Sequence, residues 1–115
     1  VQVQIFGRRD SRETQKALRF FRERRIEVSF VDLALKPLAP TELRRFSSRL
    51  TARALLDEQA RAYRDAGLAY IRLTDDELFE RILDNQALLR VPLVRQGNNV
   101  SAGLDERAWK KLLAT

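Results

Sequence analysis

The stretch Gly7–Leu18, GRRDSRETQKAL, decides the fold. Ahead of it, Val1-Gln2-Val3-Gln4-Ile5-Phe6 alternates apolar with polar residues and includes the β-branched Val1, Val3 and Ile5, which predicts a half-buried strand. Gly7 turns the chain. Asp10 then stands three residues before Glu13, so DSRE reads as a capping box in which Asp10 accepts from backbone N–H groups at a helix start. Thr14, Ala17, Leu18 and Phe21 follow at i, i+3, i+4 and i+7 and predict one buried face, with Arg12, Lys16, Arg19 and Glu23 pointing elsewhere. Val28-Ser29-Phe30-Val31-Asp32 reads as a second strand. A strand, a crossover helix and another strand make a parallel pair.

Downstream, the pattern turns helical and then returns to strands. Pro37 and Pro40 punctuate a loop, and Pro40 suits the first turn of a helix carrying Leu43 and Phe46. Ala52 to Ala66 is rich in helix formers and stops at Gly67. Thr74-Asp75-Asp76-Glu77 is a second capping box, followed by Leu78, Ile82 and Leu83 on one face. Val91-Pro92-Leu93-Val94 and Val100-Ser101-Ala102 flank the turn-rich Gln96-Gly97-Asn98-Asn99, which predicts an antiparallel hairpin. Asp105 to Leu113, with Trp109 and Leu113 four apart, forms a closing helix. The expected architecture is α/β: one domain over residues 1–115 with a four-stranded mixed sheet and a helical insertion over about 40–86.

Composition narrows the chemistry. The 115 residues include no Cys and no His, which removes disulfides, thiolate metal sites and thiol redox steps together with the commonest general base. No metal site and no cofactor is expected. No run reaches the roughly 20 apolar residues of a membrane span, and no start resembles a signal peptide, so the expected location is cytoplasmic with no membrane partner. Residues 1–53 carry a net charge of +7 and residues 54–115 a net of −1. Such asymmetry suits an anionic partner, although Arg-rich helix faces are also ordinary solvated surfaces. Tyr63, Tyr70 and Trp109 are too scattered for a base-stacking platform and read as packing residues, so nucleic acid is not the expected partner. Asp75, Asp76, Glu77 and Glu80 form an acidic helix start that favours the helix dipole without implying a metal.

Several motifs in order carry a family resemblance. RALL (Arg53–Leu56), Tyr63, GLA (Gly67–Ala69), TDDEL (Thr74–Leu78), ALLRVPLV (Ala87–Val94) and Gly103 before DERAW (Asp105–Trp109), together with the opening strand and helix start, resemble the arsenate reductase (ArsC) and Spx family. The resemblance spans nearly the whole chain and implies a thioredoxin-like fold with an inserted helical subdomain. It also implies that Pro92 is a cis proline facing the helix start, with Val91 beside Ser11. The family's catalytic Cys position matches Ser11, and the second Cys of Spx-type members matches Thr14. Two oxyanion-holding Arg positions, one after RALL and one before the proline, are Asp57 and Val91 here. These positions are degenerate, and no catalytic residue is expected.

Serine cannot replace the thiol by itself. An alkoxide needs a base, no His supplies one, and oxygen cannot make the sulfur–sulfur bond through which the family turns over. Capping explains Ser11 and Asp10 more simply. Arg8, Arg9, Ser11 and Arg12, with Arg90 from the proline loop, remain candidates for holding a small anion. The expected function is a catalytically inactive interaction or regulatory module. By resemblance to Spx members, its partner would be the C-terminal domain of the RNA polymerase α-subunit. The alternative is arsenate reductase-like or glutathione-dependent oxidoreductase activity at the same pocket.

Overall fold

The computed structural model describes residues 2–114. Val1, expected to open the first strand, and Thr115 lie outside the described residues. Two compact units divide the chain: one takes the residues up to Pro37 and those from Val91 onward, the other is Leu38–Arg90. Within the second unit the helical elements run from Pro40 to the short turn at Gln86–Leu88.

The first unit is built on four strands, β1 (Gln2–Gly7), β2 (Glu27–Asp32), β3 (Leu93–Gln96) and β4 (Asn99–Ala102), in the order β2-β1-β3-β4. β1 and β2 are parallel, with Val3 beside Val28 and Ile5 beside Phe30. β3 is antiparallel to both β1 and β4, so the sheet is mixed. Helix α1 (Arg12–Glu23) makes the crossover between β1 and β2. The last helix, Glu106–Leu113, is capped by Asp105, whose carboxylate accepts from Ala108 N–H at 3.0 Å. One core holds these pieces together: Val3, Ile5 and Val94 of the sheet against Ala17, Phe20, Phe21, Trp109 and Leu112 of the two helices. Trp109 is 5.3 Å from Phe20 and 6.0 Å from Phe21, ring centre to ring centre, an aromatic cluster at the middle of that face.

The buried face of α1 is Thr14, Ala17, Phe20 and Phe21. Leu18, expected in the core, lies at its rim and is only partly buried, because Phe20 and Phe21 turn the face toward Trp109. α1 ends in a Schellman motif. Arg25 takes a left-handed φ of 57°, Arg25 N–H donates to Arg22 O at 3.0 Å, and Ile26 N–H donates to Phe21 O at 3.0 Å. That turn aims the chain into β2 with Ile26 packed on the core.

The second unit is helical: α2 (Pro40–Leu50), α3 (Ala52–Leu55), α4 (Arg61–Asp65) and α5 (Asp75–Asp84); the closing helix of the first unit is α6. Pro40 stands at the first helical position of α2. α5 starts with the expected box, in which Glu77 N–H donates to Thr74 Oγ1 at 3.1 Å and Thr74 N–H to Glu77 Oε1 at 2.8 Å. Its buried residues are Leu78, Phe79 and Ile82 rather than Leu83.

The expected single helix from Ala52 to Ala66 is broken in two. Leu56 pairs with Leu89 in an isolated antiparallel bridge, Asp57 N–H donates to Leu88 O and Arg90 N–H to Leu55 O, both at 2.8 Å. Extended pairing with a distant segment thus outcompetes local helix preference. The side chain of Gln86 also acts like a strand: its amide donates to Leu38 O at 2.8 Å and accepts from Leu38 N–H at 2.7 Å. This double bond ties the start of the unit to its end. Tyr70, read as a packing residue, is instead 93% exposed at the surface.

Candidate functional site

The end of β1 and the start of α1 form a tight corner. Ser11, not Asp10, is the N-cap: it has extended backbone angles and its hydroxyl accepts from Thr14 N–H at 3.1 Å. The expected DSRE box does not form: a single side-chain cap stands one residue later, with Thr14 in place of a reciprocating carboxylate. Ser11 N–H itself donates to Arg8 O at 3.0 Å, closing the turn before the helix. Thr14 is fully buried, and its Oγ1 accepts from Arg8 N–H at 3.4 Å. Gly7 makes this possible, since a Cβ there would lie 2.4 Å from Thr14 Oγ1 and 2.6 Å from Thr14 Cγ2. Where the resemblance places a second thiol, the chain has a hydroxyl packed against backbone.

The arginines near this corner do not all converge on it. Arg9 reaches β2, where its Nε lies 3.5 Å from Asp32 Oδ2 and its guanidinium 5.2 Å from the centre of the Phe30 ring. Its carbonyl accepts from the Gln15 side chain at 2.9 Å. A carboxylate and an aromatic face on the neighbouring strand thus flank its exposed side chain. Arg8 contributes its backbone to the corner, and Arg12 is an exposed first residue of α1.

The Val91–Pro92 peptide bond is cis. Pro92 O accepts from Gly103 N–H at 2.9 Å, and the next residue, Leu93, pairs with Phe6. The proline turn therefore lies at the same end of the sheet as Gly7. Val91 is buried, with 8% of its surface exposed, and offers only an isopropyl group where the family resemblance implies a guanidinium.

Asp57 and Arg90 belong to the helical unit. Asp57 Oδ1 accepts from Gln59 N–H at 2.9 Å, a local turn made by its own side chain. Arg90 is exposed, and its backbone is fixed by Leu55. Position 57 carries a carboxylate where the family resemblance implies a guanidinium. Among the described residues, no group of three or more Asp, Glu, His or Cys is placed to hold a metal ion. Glu77 is held below its usual carboxylate range by the Thr74 backbone N–H, then by the Thr74 hydroxyl and Arg81. Its bonds stabilise the start of α5. No helix among the described residues is long and apolar enough to cross a membrane.

A mixed four-stranded sheet with β-α-β and β-β-α halves, a cis proline before the third strand and a helical insertion between the halves define a thioredoxin-like protein of the ArsC type. The chain belongs to the ArsC family, whose model matches residues 6–112. Solved structures agree on the fold. The YffB protein is 17% identical over 96% of this chain and 98% of its own, with a TM-score of 0.87. An arsenate reductase from Vibrio cholerae is 19% identical over 98% and 96%, with a TM-score of 0.81. An arsenate reductase (ArsC) related protein from Brucella melitensis is 16% identical over 100% and 97%, with a TM-score of 0.72. A comparison with curated proteins finds no match.

Proposed function

We propose that this chain is a cysteine-free ArsC-family protein that works by binding, as an interaction or regulatory module, and not by thiol chemistry. One observation carries the reading: at the family's nucleophile position the chain has Ser11, whose hydroxyl is already engaged as the α1 cap, in a sequence with no Cys and no His. A hydroxyl needs a base to become a nucleophile, and sulfur exchange needs sulfur. The loss of positive charge at positions 57 and 91 points the same way, because an oxyanion substrate is held by bidentate guanidinium contacts. By likeness to Spx, the partner in this reading is the C-terminal domain of the RNA polymerase α-subunit, and the chain acts in the cytoplasm. A small anion at the α1 start would be held by Arg8, Arg9, Ser11 and Arg12 of the first unit.

Arsenate reduction in the presence of glutathione and glutaredoxin tests the proposal. The expected rate equals that of the no-protein control, and Ser11→Ala leaves it unchanged while lowering stability by about 1 kcal/mol, the usual value of a serine cap. Turnover above the control that Ser11→Ala abolishes would establish the enzymatic alternative, an arsenate reductase or glutathione-dependent activity at the same pocket. For the partner, titration of the purified C-terminal domain of the RNA polymerase α-subunit should give saturable, salt-sensitive binding; the absence of binding at low salt would remove that partner.

A further inference from the structure

Charge in this chain is concentrated in one segment. Residues 8–25 carry eight Arg or Lys and three Asp or Glu, a net of +5, whereas the whole chain of 115 residues carries +6. Helix α1 holds much of it. Its buried face is Thr14, Ala17, Phe20 and Phe21, so the helical period turns Arg12, Lys16, Arg19 and Arg22 outward, and all four are exposed. Among the described residues none of these four is ion-paired, whereas Arg9 is engaged with Asp32. The acids around the stripe are Glu13 and Glu23 on α1 itself and Glu106 at the start of α6. Arg24 and Arg25 at the helix end add two further cations, so the surface keeps a net of +3 with all three acids counted. Hollows border α1 on both flanks: one of about 370 Å³ beside Leu18 and Arg22, the other of about 350 Å³ beside Lys16, Arg19 and Glu23. The helix is therefore a basic ridge.

We infer that the α1 ridge seats in the major groove of duplex DNA and holds the phosphates that border it. From Arg12 to Arg22 the stripe runs about 15 Å along the helix axis, long enough to meet a row of phosphates where a small anion would meet one or two cations. The major groove of B-form DNA, about 12 Å wide, admits an α-helix, whereas that of an A-form RNA duplex is too narrow. The outward face also lacks what other anionic partners require. Leu18 is half-buried, and the apolar side of α1 is packed on the sheet and Trp109, so the helix has no apolar face to lay into a membrane and no apolar centre for a protein interface. Phe20 and Phe21 are buried, so no ring remains on this face for unpaired bases to stack on, but a duplex keeps its bases paired and needs none. Gln15, whose amide could read a base edge, is bonded to Arg9 O at 2.9 Å, which leaves the contacts chiefly to phosphates. Lys16 and Arg19 take no part in the Ser11 corner, so the inference holds whether or not the non-enzymatic reading does.

The test is fluorescence anisotropy of the full chain with a labelled DNA duplex of about 20 base pairs and mixed sequence. At about 50 mM salt binding should be saturable, and about four phosphate contacts should make it roughly 100-fold weaker at about 200 mM. Lys16→Glu combined with Arg19→Glu should weaken it by about tenfold or more. Arg45→Glu combined with Arg49→Glu makes the same change of charge on exposed residues of α2 and should weaken it by no more than about threefold. Circular dichroism checks that both variants fold. If the α1 pair does not, Arg19→Gln keeps a good helix former and should still weaken binding by about threefold. An RNA duplex of the same sequence and the single DNA strand should each bind more weakly than the DNA duplex. Absence of duplex binding, equal losses from the α1 and α2 pairs, or RNA or single strand bound as tightly as the DNA duplex would overturn the inference. Binding to phosphatidylglycerol vesicles without binding to DNA would likewise overturn it and assign the ridge to a membrane surface.

Discussion

Gly7→Ala should destabilise the protein through a single contact, and its size can be worked from the corner's geometry. The backbone of Gly7 is ordinary strand, paired with Asp32, so alanine meets no conformational obstacle. By itself the change would stabilise by about 0.4–1 kcal/mol, because alanine loses less chain entropy on folding. Against this stands the new methyl, 2.4 Å from Thr14 Oγ1, 2.6 Å from Thr14 Cγ2 and 3.1 Å from Thr14 Cβ. Rotation about χ1 of Thr14 exchanges one γ atom for another and does not clear the approach to Cβ. It would also pull Oγ1 from Arg8 N–H. Overpacking of this kind costs about 1–3 kcal/mol. The net expectation is a loss of about 1–2 kcal/mol, a fall in Tm of roughly 4–10 °C for a chain of this size. Thermal and urea unfolding of Gly7→Ala, Thr14→Ala and the double variant would isolate the contact as a double-mutant cycle. The coupling energy should favour the pair of alanines by about 1 kcal/mol or more. A neutral or stabilising Gly7→Ala, or a double variant that shows simple additivity, would refute the account of glycine at this corner.

Three further outcomes follow from the same structure. Arg25→Gly should raise stability by roughly 0.5–1 kcal/mol in urea unfolding, since a non-glycine residue now occupies the left-handed position of the α1 Schellman turn; a loss would count against that backbone conformation. Asp75→Ala should destabilise the helical unit by about 2 kcal/mol, because one carboxylate accepts from both Ala52 N–H at 2.9 Å and Arg53 N–H at 3.0 Å. Amide exchange at Ala52 and Arg53 would report that loss directly. Glu77 has a folded-state pKa below its ordinary 4.5, so its contribution is complete above that value and disappears as pH falls through the folded value. Comparing urea midpoints of the parent and Glu77→Gln should show a gap at about pH 7 that narrows progressively on acidification below the ordinary glutamate range; a gap that does not narrow in acid would contradict the capping role.

Much of the fold was legible because its signals are local. Alternation before Gly7, the 3.6-residue period after Ser11, the Thr74–Glu77 box and the Gly97-Asn98 turn each depend on neighbours a few residues away. Their order alone implies a parallel pair joined by a helix and an antiparallel hairpin. The break at Leu56 was not legible, since nothing within Ala52–Ala66 announces that Leu88 and Arg90 will claim the backbone of Asp57 and Leu55. The cap moved from Asp10 to Ser11 for a similar reason: both are good caps, and the Arg8–Ser11 turn together with the buried Thr14 selects between them.

Sequence by itself determined what chemistry this protein lacks. Neither sulfur nor imidazole can be created by folding, and no arrangement of the remaining side chains restores a thiolate. Tertiary structure decided how the remaining groups are used. It committed Ser11 to a backbone N–H, drew Arg9 across to Asp32 and Phe30, and left β2 as an edge with an apolar groove beside it. Those outcomes depend on distances between residues far apart in the chain, and only the packed sheet and its helices set such distances.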